Sequence, residues 1–532
     1  FYNGLGLLEK LGNADGLVLT NFYDTDSRLE SSVSVGSLVA INTYDAASGN
    51  LVKVLTGYYS GSSFVAVGTN TMAYDANGQR LALTDALGLI TRYGYDALGR
   101  TVAVTNAFGT ASETVSTTTY DVAGQVTRTV DARGVTTAFG YDDFGRRIAV
   151  TNALGTADQT VTTTVYDAAG QVAWTVDARS VTNAFVYDSL GRRIAVTNAF
   201  GTSLEQITRY SYDANGNLTN VVDALGRATD QQYDALNRQT VVLPPLALTG
   251  GSRTGNTNVY DLLGRRIVAV DQAGRSTGFG YDALGRLTSV TNALGKITRY
   301  GYDPAGRLAA ETNALGRVTT YTYNALGARS KRTVPGGAWE GFAYDALGRP
   351  VAHTNFAGTI ITNQYDGLGR LWKRFQAGTT LETSLYSVHG QLTNRVDDAG
   401  THAWVYDALG RLTTHTQPAG TLYYTYDATG LQLTLGSATT SGVTNQFQYD
   451  ALGRLTNVID LRLTTANKNT AYGYDGVGNL AWVNLRPNGV TNWHRYDTQN
   501  RLTNLVWALN GSLRSGFGYT LGVNFNPAPG TS

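Results

Sequence analysis

YDALGRLTSVTNALGKITRYGYDPAGRL, residues 281–308, writes one line twice. Tyr281-Asp282-Ala-Leu-Gly285-Arg286-Leu287 returns 21 residues later as Tyr302-Asp303-Pro-Ala-Gly306-Arg307-Leu308. A fixed period of this size signals a repeat architecture and is read before any single residue. With tyrosine as marker, the line occurs 22 times between Tyr23 and Tyr496, and Tyr519 begins a degraded further copy. From Tyr260 to Tyr386 the step is a constant 21; from Tyr74 to Tyr212 it alternates 21 and 25, a 46-residue double unit. YDDFGRRIAVTNALGT (141–156) and YDSLGRRIAVTNAFGT (187–202) read as a duplication of that double unit.

The repeated positions describe a turn. Aspartate follows the tyrosine in 20 of the 22 units, and glycine stands four after it in 18. Two of the four exceptions are Asn237 and Asn500, and asparagine is the side chain that best tolerates positive φ. A contact site would not accept glycine and asparagine alike, so the position calls for a left-handed backbone. Asp at the first and Gly at the fourth position is a type I turn pattern, and such a turn followed by a left-handed residue closes many hairpins. Pro304, Pro335, Pro418 and Pro487 all stand in x-Pro-x-Gly, the second turn position, where the fixed φ of proline fits. A second turn follows in each unit, as in Asn292-Ala-Leu-Gly295 and Asn313-Ala-Leu-Gly316. Between turns, runs such as RLTSVT (286–291) and KITRYGY (296–302) alternate in period two and suit strands.

The predicted fold is all-β: a long antiparallel hairpin meander of about 22 units and about 44 strands. Residues 1–22 form a lead-in, 23–519 a continuous array, and 520–532 a Gly/Pro/Asn-rich end. The 25-residue units place their extra residues after the second turn, as longer hairpin tips on one rim. VVLPPLALTGGSRTGNTN (241–258) is an insert, because the repeat resumes in phase after it. Two strands per unit at a spacing of about 4.8 Å make a ribbon about 210 Å long. Rolled into one closed turn, it would enclose a space about 65–70 Å across.

Composition narrows the function. Charged residues are 15%, against about 25% in a typical soluble protein. The net charge is +1, without the basic excess that nucleic-acid binding requires. Arginine supplies 35 of the 41 basic residues. Cysteine is absent, which removes disulfides, thiol nucleophiles and thiolate metal sites. No window approaches the roughly 20 apolar residues of a membrane span. The sequence opens at Phe1 with neither initiator Met nor signal segment, as expected of a processed chain or a piece of a larger one.

These residues resemble the YD repeat of the Rhs and YD-repeat proteins, which include bacterial polymorphic toxins, insecticidal toxin-complex shells and teneurins. The resemblance runs over about residues 23–520. It implies a sheet that spirals into a hollow shell, an exported or cell-surface location, and a toxic cargo released by an aspartate-based self-cleavage site. SGFGYTLGVNFNPAPGTS (515–532) lacks the closing segment that the resemblance implies, so self-cleavage is assigned to no residue here.

The motif residues Tyr95, Asp96, Gly99, Arg100, Tyr281, Asp282, Gly285, Arg286, Tyr302, Asp303, Gly306, Arg307, Tyr344, Asp345, Gly348, Arg349, Tyr449, Asp450, Gly453 and Arg454 are therefore read as structural. Twenty Tyr-Asp acid–base dyads in one enzyme are implausible, and no catalytic, cofactor or metal site is assigned. The arginine five after the tyrosine either lies over the next unit's aromatic ring or pairs with that unit's aspartate, or else stands in a solvated row. DANGN (213–217) has its glycine where the turn wants it, not at the sixth position of a calcium loop. His353, His389, His402, His415 and His494 show no ligand spacing. The expected function is a non-enzymatic scaffold, the shell region of a larger protein around a toxin cargo or at a cell contact. Its partners would be the rest of that polypeptide or its own copies. A self-assembling extracellular filament is the alternative. A glycan-binding adhesin is a second one, carried by seven tryptophans from Trp174 to Trp507 that sugars could stack on.

Overall fold

A computed structural model describes residues 7, 10–12, 18–34, 39–60, 63–245, 253–439, 442–463, 468–485 and 489–518. The described residues form 46 strands and no helix, against about 44 strands expected. Thr-, Val- and Tyr-rich runs of five to eight residues make most strands, such as Leu287–Thr291 and Ile297–Tyr302. β-branched and aromatic side chains suit a pleated, half-buried surface. The chain divides into two compact units. One comprises 1–119, 129–134 and 277–404; the other comprises 120–128, 135–276 and 405–532. Within each, consecutive strands pair antiparallel, as in Gly278↔Thr291 and Ser289↔Arg299 of the first unit and Phe447↔Val458 of the second.

Neither unit has an ordinary core. The buried apolar side chains among the described residues are Val39, Ala107, Ala153, Val181, Ala199, Ala471 and Ala508. Most strand residues are half-exposed, as a single sheet without a covering layer requires. Stability must then come from ladder hydrogen bonds and cross-strand neighbours.

The lead-in contains a strand, Lys10–Gly12, paired with Val18–Tyr23. In the 25-residue units the connection Ala107–Glu113 is a closed loop. Its Thr110 hydroxyl donates to the Ala107 carbonyl (2.7 Å), and the Glu113 carboxylate accepts from the Gly109 N–H (2.8 Å). The same loop recurs around Ala153 and Ala199. Around the insert, strands Gln239–Leu243 and Asn256–Tyr260 still pair. Arg253 ties the insert down through the carbonyls of Ala228 and Pro244 and through Asp230. Residues 246–252, Pro487, Tyr519 and the 520–532 end lie outside the described residues.

Candidate functional site

The Tyr-Asp turn is built the same way at each of the units singled out above. Asp96, Asp282, Asp303, Asp345 and Asp450 each accept through Oδ1 from the backbone N–H of Arg100, Arg286, Arg307, Arg349 and Arg454, at 2.9–3.0 Å. In the same pairs Oδ2 accepts from the arginine Nε at 2.7 Å. Gly99, Gly285, Gly306, Gly348 and Gly453 have φ of +77 to +80° and donate to the aspartate carbonyl at 2.9–3.0 Å. Three of the four exceptions obey the same rule: Ser27, Asn237 and Asn500 have φ of +66, +59 and +62°, while at Ser48 the left-handed residue is the next one, Gly49, at +72°. The second turn copies the first with asparagine, since Asn292 Oδ1 accepts from the N–H groups of Leu294 and Lys296 at 3.0 Å. DANGN is one more such turn, with Asp213 capped by Asn217.

A feature the sequence reading missed lies just beyond the glycine. Gly280 pairs with Ser289 but Tyr281 pairs with Leu287, so Thr288 is an extra residue in its strand. Such a bulge interrupts the ladder. The Leu287 carbonyl there accepts from the hydroxyl of the next unit's tyrosine, Tyr302, at 2.7 Å. Tyr95, Tyr344 and Tyr449 donate in the same way to Arg80, Arg329 and Gln432, at 2.9, 3.1 and 2.8 Å. One signal was available: the marker is tyrosine in all 22 units and never phenylalanine, although the chain has 15 Phe. Tyr302→Phe should cost about 1 kcal/mol of local stability, read as faster amide exchange around Leu287. An unchanged exchange rate would refute the role of the hydroxyl.

Arginine follows one reading offered for it, the ring of the next unit, and departs from the other, that unit's aspartate. Arg286, Arg307, Arg349 and Arg454 lie over the next unit's Tyr302, Tyr323, Tyr365 and Tyr474, 4.6–4.9 Å from the ring centroids. The carboxylate each one pairs with belongs to its own unit, four residues before it. What the next unit contributes is a backbone carbonyl: Arg192, Arg370 and Arg411 donate to Asp213, Ser387 and Asp427 at 3.0, 2.9 and 2.7 Å. One guanidinium thus ties two successive turns together. That planar fork explains the excess of arginine over lysine.

The turn also sets a pH response. The backbone N–H of Arg100 and then its guanidinium hold Asp96 below the usual carboxylate range, and Arg192 does the same for Asp188. Asp234 is lowered first by the Arg238 guanidinium. A carboxylate lowered by folding adds stability that is complete above its ordinary value, about 4, and is lost as pH falls through the lower folded value. Asp460, held at about 2 by the Arg462 guanidinium, is among the last to protonate. The urea midpoint should therefore hold steady near neutral pH and fall progressively below about pH 4. A midpoint unchanged down to about pH 2.5 would contradict the assignment.

Several of the remaining sequence candidates pack against rings, while Trp174, Trp339, Trp372 and Trp493 stay 37–45% exposed. Trp482 and Trp493 face each other across paired strands, ring centroids 6.4 Å apart, and Trp507 meets Phe517 edge-on at 5.5 Å. His353 stacks on Phe342 at 4.9 Å and His402 on Trp404 at 5.9 Å. Among the described residues no three His, Asp or Glu side chains stand together as metal ligands, and no helix is long and apolar enough to cross a membrane.

Nine segments match the RHS Repeat model: 74–111, 120–157, 187–222, 212–244, 260–297, 281–316, 302–338, 386–422 and 406–441. Together they span just over half of the 532 residues. The chain belongs to the RHS repeat family. No curated protein matches it. Among solved structures, the RHS chain is similar to the crystal structure of TcdB2-TccC3, with a TM-score of 0.69 at 16% identity over 97% of this chain and 32% of that one. TcdB2-TccC3 without its hypervariable C-terminal region gives 0.69 at 15% identity, over 97% and 34%. The TcdB2-TccC3-Cdc42 structure gives 0.64 at 16% identity, over 94% and 32%. The chain thus spans about a third of the length of the solved chains it matches. What it shares with them is the fold, which in this chain is an antiparallel β-sheet built from RHS repeats.

Proposed function

We propose that this chain is a length of non-enzymatic wall, the shell region of a larger secreted or cell-surface RHS protein that encloses a toxin cargo or mediates cell contact. The observation that carries this reading is the likeness of 97% of the chain to the fold of TcdB2-TccC3. Two local features support it. The motif's carboxylates and guanidinia bind the turns of their own strip. A bulge recurs at the Tyr-Asp turns, as at Tyr141, Tyr281 and Tyr449, and bulges repeated along a sheet give it curvature. Within the second unit, residues 253 to 273 positions apart meet, as a strip coiling over itself requires.

Electron microscopy of the protein purified from its source without denaturant tests the reading. Discrete hollow particles about 60–100 Å across are expected from the strand spacing. Long regular filaments would make the chain a polymer subunit, and solid particles without a lumen would overturn the wall.

A further inference from the structure

Every hairpin strip has two rims, one of Tyr-Asp turns and one of second turns. In each unit, taken by itself, the second-turn rim rests on Tyr-Asp turns far along the chain. In the second unit Asp158 accepts from Arg411 Nη2 at 3.0 Å. Arg227 Nη1 donates to the Asp497 carbonyl at 3.4 Å, and Nη2 donates to Asn500 Oδ1 at 2.9 Å. Arg179 lies against Gly453 and Leu225 against Gly476. In the first unit Leu87 lies against Gly369. Where this contact exists, the tips Leu409, Leu452 and Val477 are half-buried.

The earlier Tyr-Asp turns of the second unit carry the same kinds of tip uncovered. Val122, Phe144, Leu190, Leu236, Leu262 and Leu263 are 68–106% exposed. They stand on five turns of the rim, one or two repeat units apart and so about 10 or 20 Å from the next, and an apolar row of this kind marks an interaction surface. The first unit carries the opposite rim uncovered. Its second-turn tips Leu294 and Leu315 are 82% and 75% exposed.

The detail at one tooth identifies the occupant. Asn500 Oδ1 accepts from Asn479 of the preceding unit (2.8 Å) and from Arg227, which follows the second turn Asp223–Gly226. On the bare rim Asn237 repeats Asn500, and its Oδ1 accepts from Asn217 at 2.9 Å. An amide oxygen has two lone pairs, so this pair reproduces the Asn479–Asn500 receiver for a guanidinium. On the bare second-turn rim Arg317 follows Asn313–Gly316 as Arg227 follows Asp223–Gly226, and it is exposed. We propose that the bare Tyr-Asp turns that carry Val122, Phe144, Leu190, Leu236 and Leu263 dock the bare second turns 292–295 and 313–316 of a second copy of this chain, with Arg317 of one copy on Asn237 of the other. The contact is head-to-tail and repeats from copy to copy. It goes beyond the wall reading and stands or falls separately from it, because it concerns association between copies and not the presence of a lumen.

Sedimentation of the intact protein over a range of concentrations tests the proposal. The wild type should form a concentration-dependent ladder of oligomers. The double variants L190D/L236D and L294D/L315D change only exposed tips, so circular dichroism should show both folded, and each alone should remain monomeric. Mixed together, they should give a heterodimer and stop there, since each supplies the one intact rim the other lacks. Arg317→Ala should weaken association about tenfold. A wild type that stays monomeric throughout would overturn the proposal. So would rim variants that assemble like the wild type, as they would if free strand edges joined the copies.

Discussion

Replacing Gly453 with valine should lower the local stability of its turn by about 1–3 kcal/mol, seen as up to roughly hundredfold faster amide exchange around it. Two costs add. The glycine has φ of +77°, where a β-branched residue is strained by about 1–3 kcal/mol. A Cβ there would also meet the guanidinium of Arg179, the far end of a flexible side chain, which must swing aside at small cost. Gly306→Asn is the matched control. Its φ is +78°, and a Cβ would meet nothing nearer than Arg286 at 3.9 Å. Asn237 and Asn500 already occupy this turn position. The control should cost no more than a few tenths of a kcal/mol beyond the glycine. Equal effects at the two sites would show that neither backbone angle nor the Arg179 contact decides the choice of glycine.

Asp303→Ala should destabilise its turn by about 2 kcal/mol, whereas Asp303→Asn should cost less than about 1 kcal/mol. Alanine removes the acceptor of the Arg307 N–H (2.9 Å) and of its Nε (2.7 Å). Asparagine keeps the first and loses only the ion pair, which at a partly exposed site is worth little. The chain already makes this substitution: Asn324 caps its turn through Oδ1 at 2.9 and 3.0 Å. Amide exchange of residues 303–308 gives the readout, because a chain of repeats does not melt as one two-state unit. If both variants lost stability equally, the charge, and not the cap, would be holding the turn.

Much of what depended on one residue's own backbone was legible in the sequence. The left-handed glycine, its asparagine substitutes and Pro304 inside a closed turn all follow from local φ preferences, and Gly306 donates to Asp303 across that proline at 2.9 Å. Ser27 joins this set with φ of +66°, which residue type alone does not announce. Contacts between neighbouring units were half legible. A period of 21 says that Arg286 can reach Tyr302, but only geometry shows that its carboxylate is Asp282 of its own unit, and that at Arg192 the next unit supplies a carbonyl as well. The bulge at Thr288 was not legible, since it inserts a residue without a special side chain. The rim contacts were the least legible. Nothing in a periodic sequence says that Asp158 will meet Arg411, 253 residues away, because each turn looks like many possible partners.

That last contact limits how such a gene can change. Unequal recombination between near-identical copies, such as 141–156 and 187–202, would remove 46 residues and close the reading cleanly. Every strand would still find a neighbour of the same kind. The excised stretch, however, takes Asp158 with it, and Arg411 would lose a carboxylate that holds it, since the retained loop has Leu204 at that place. Gains and losses of repeats are therefore screened by contacts between distant stretches of the array, and the number of copies becomes a heritable dimension of the molecule.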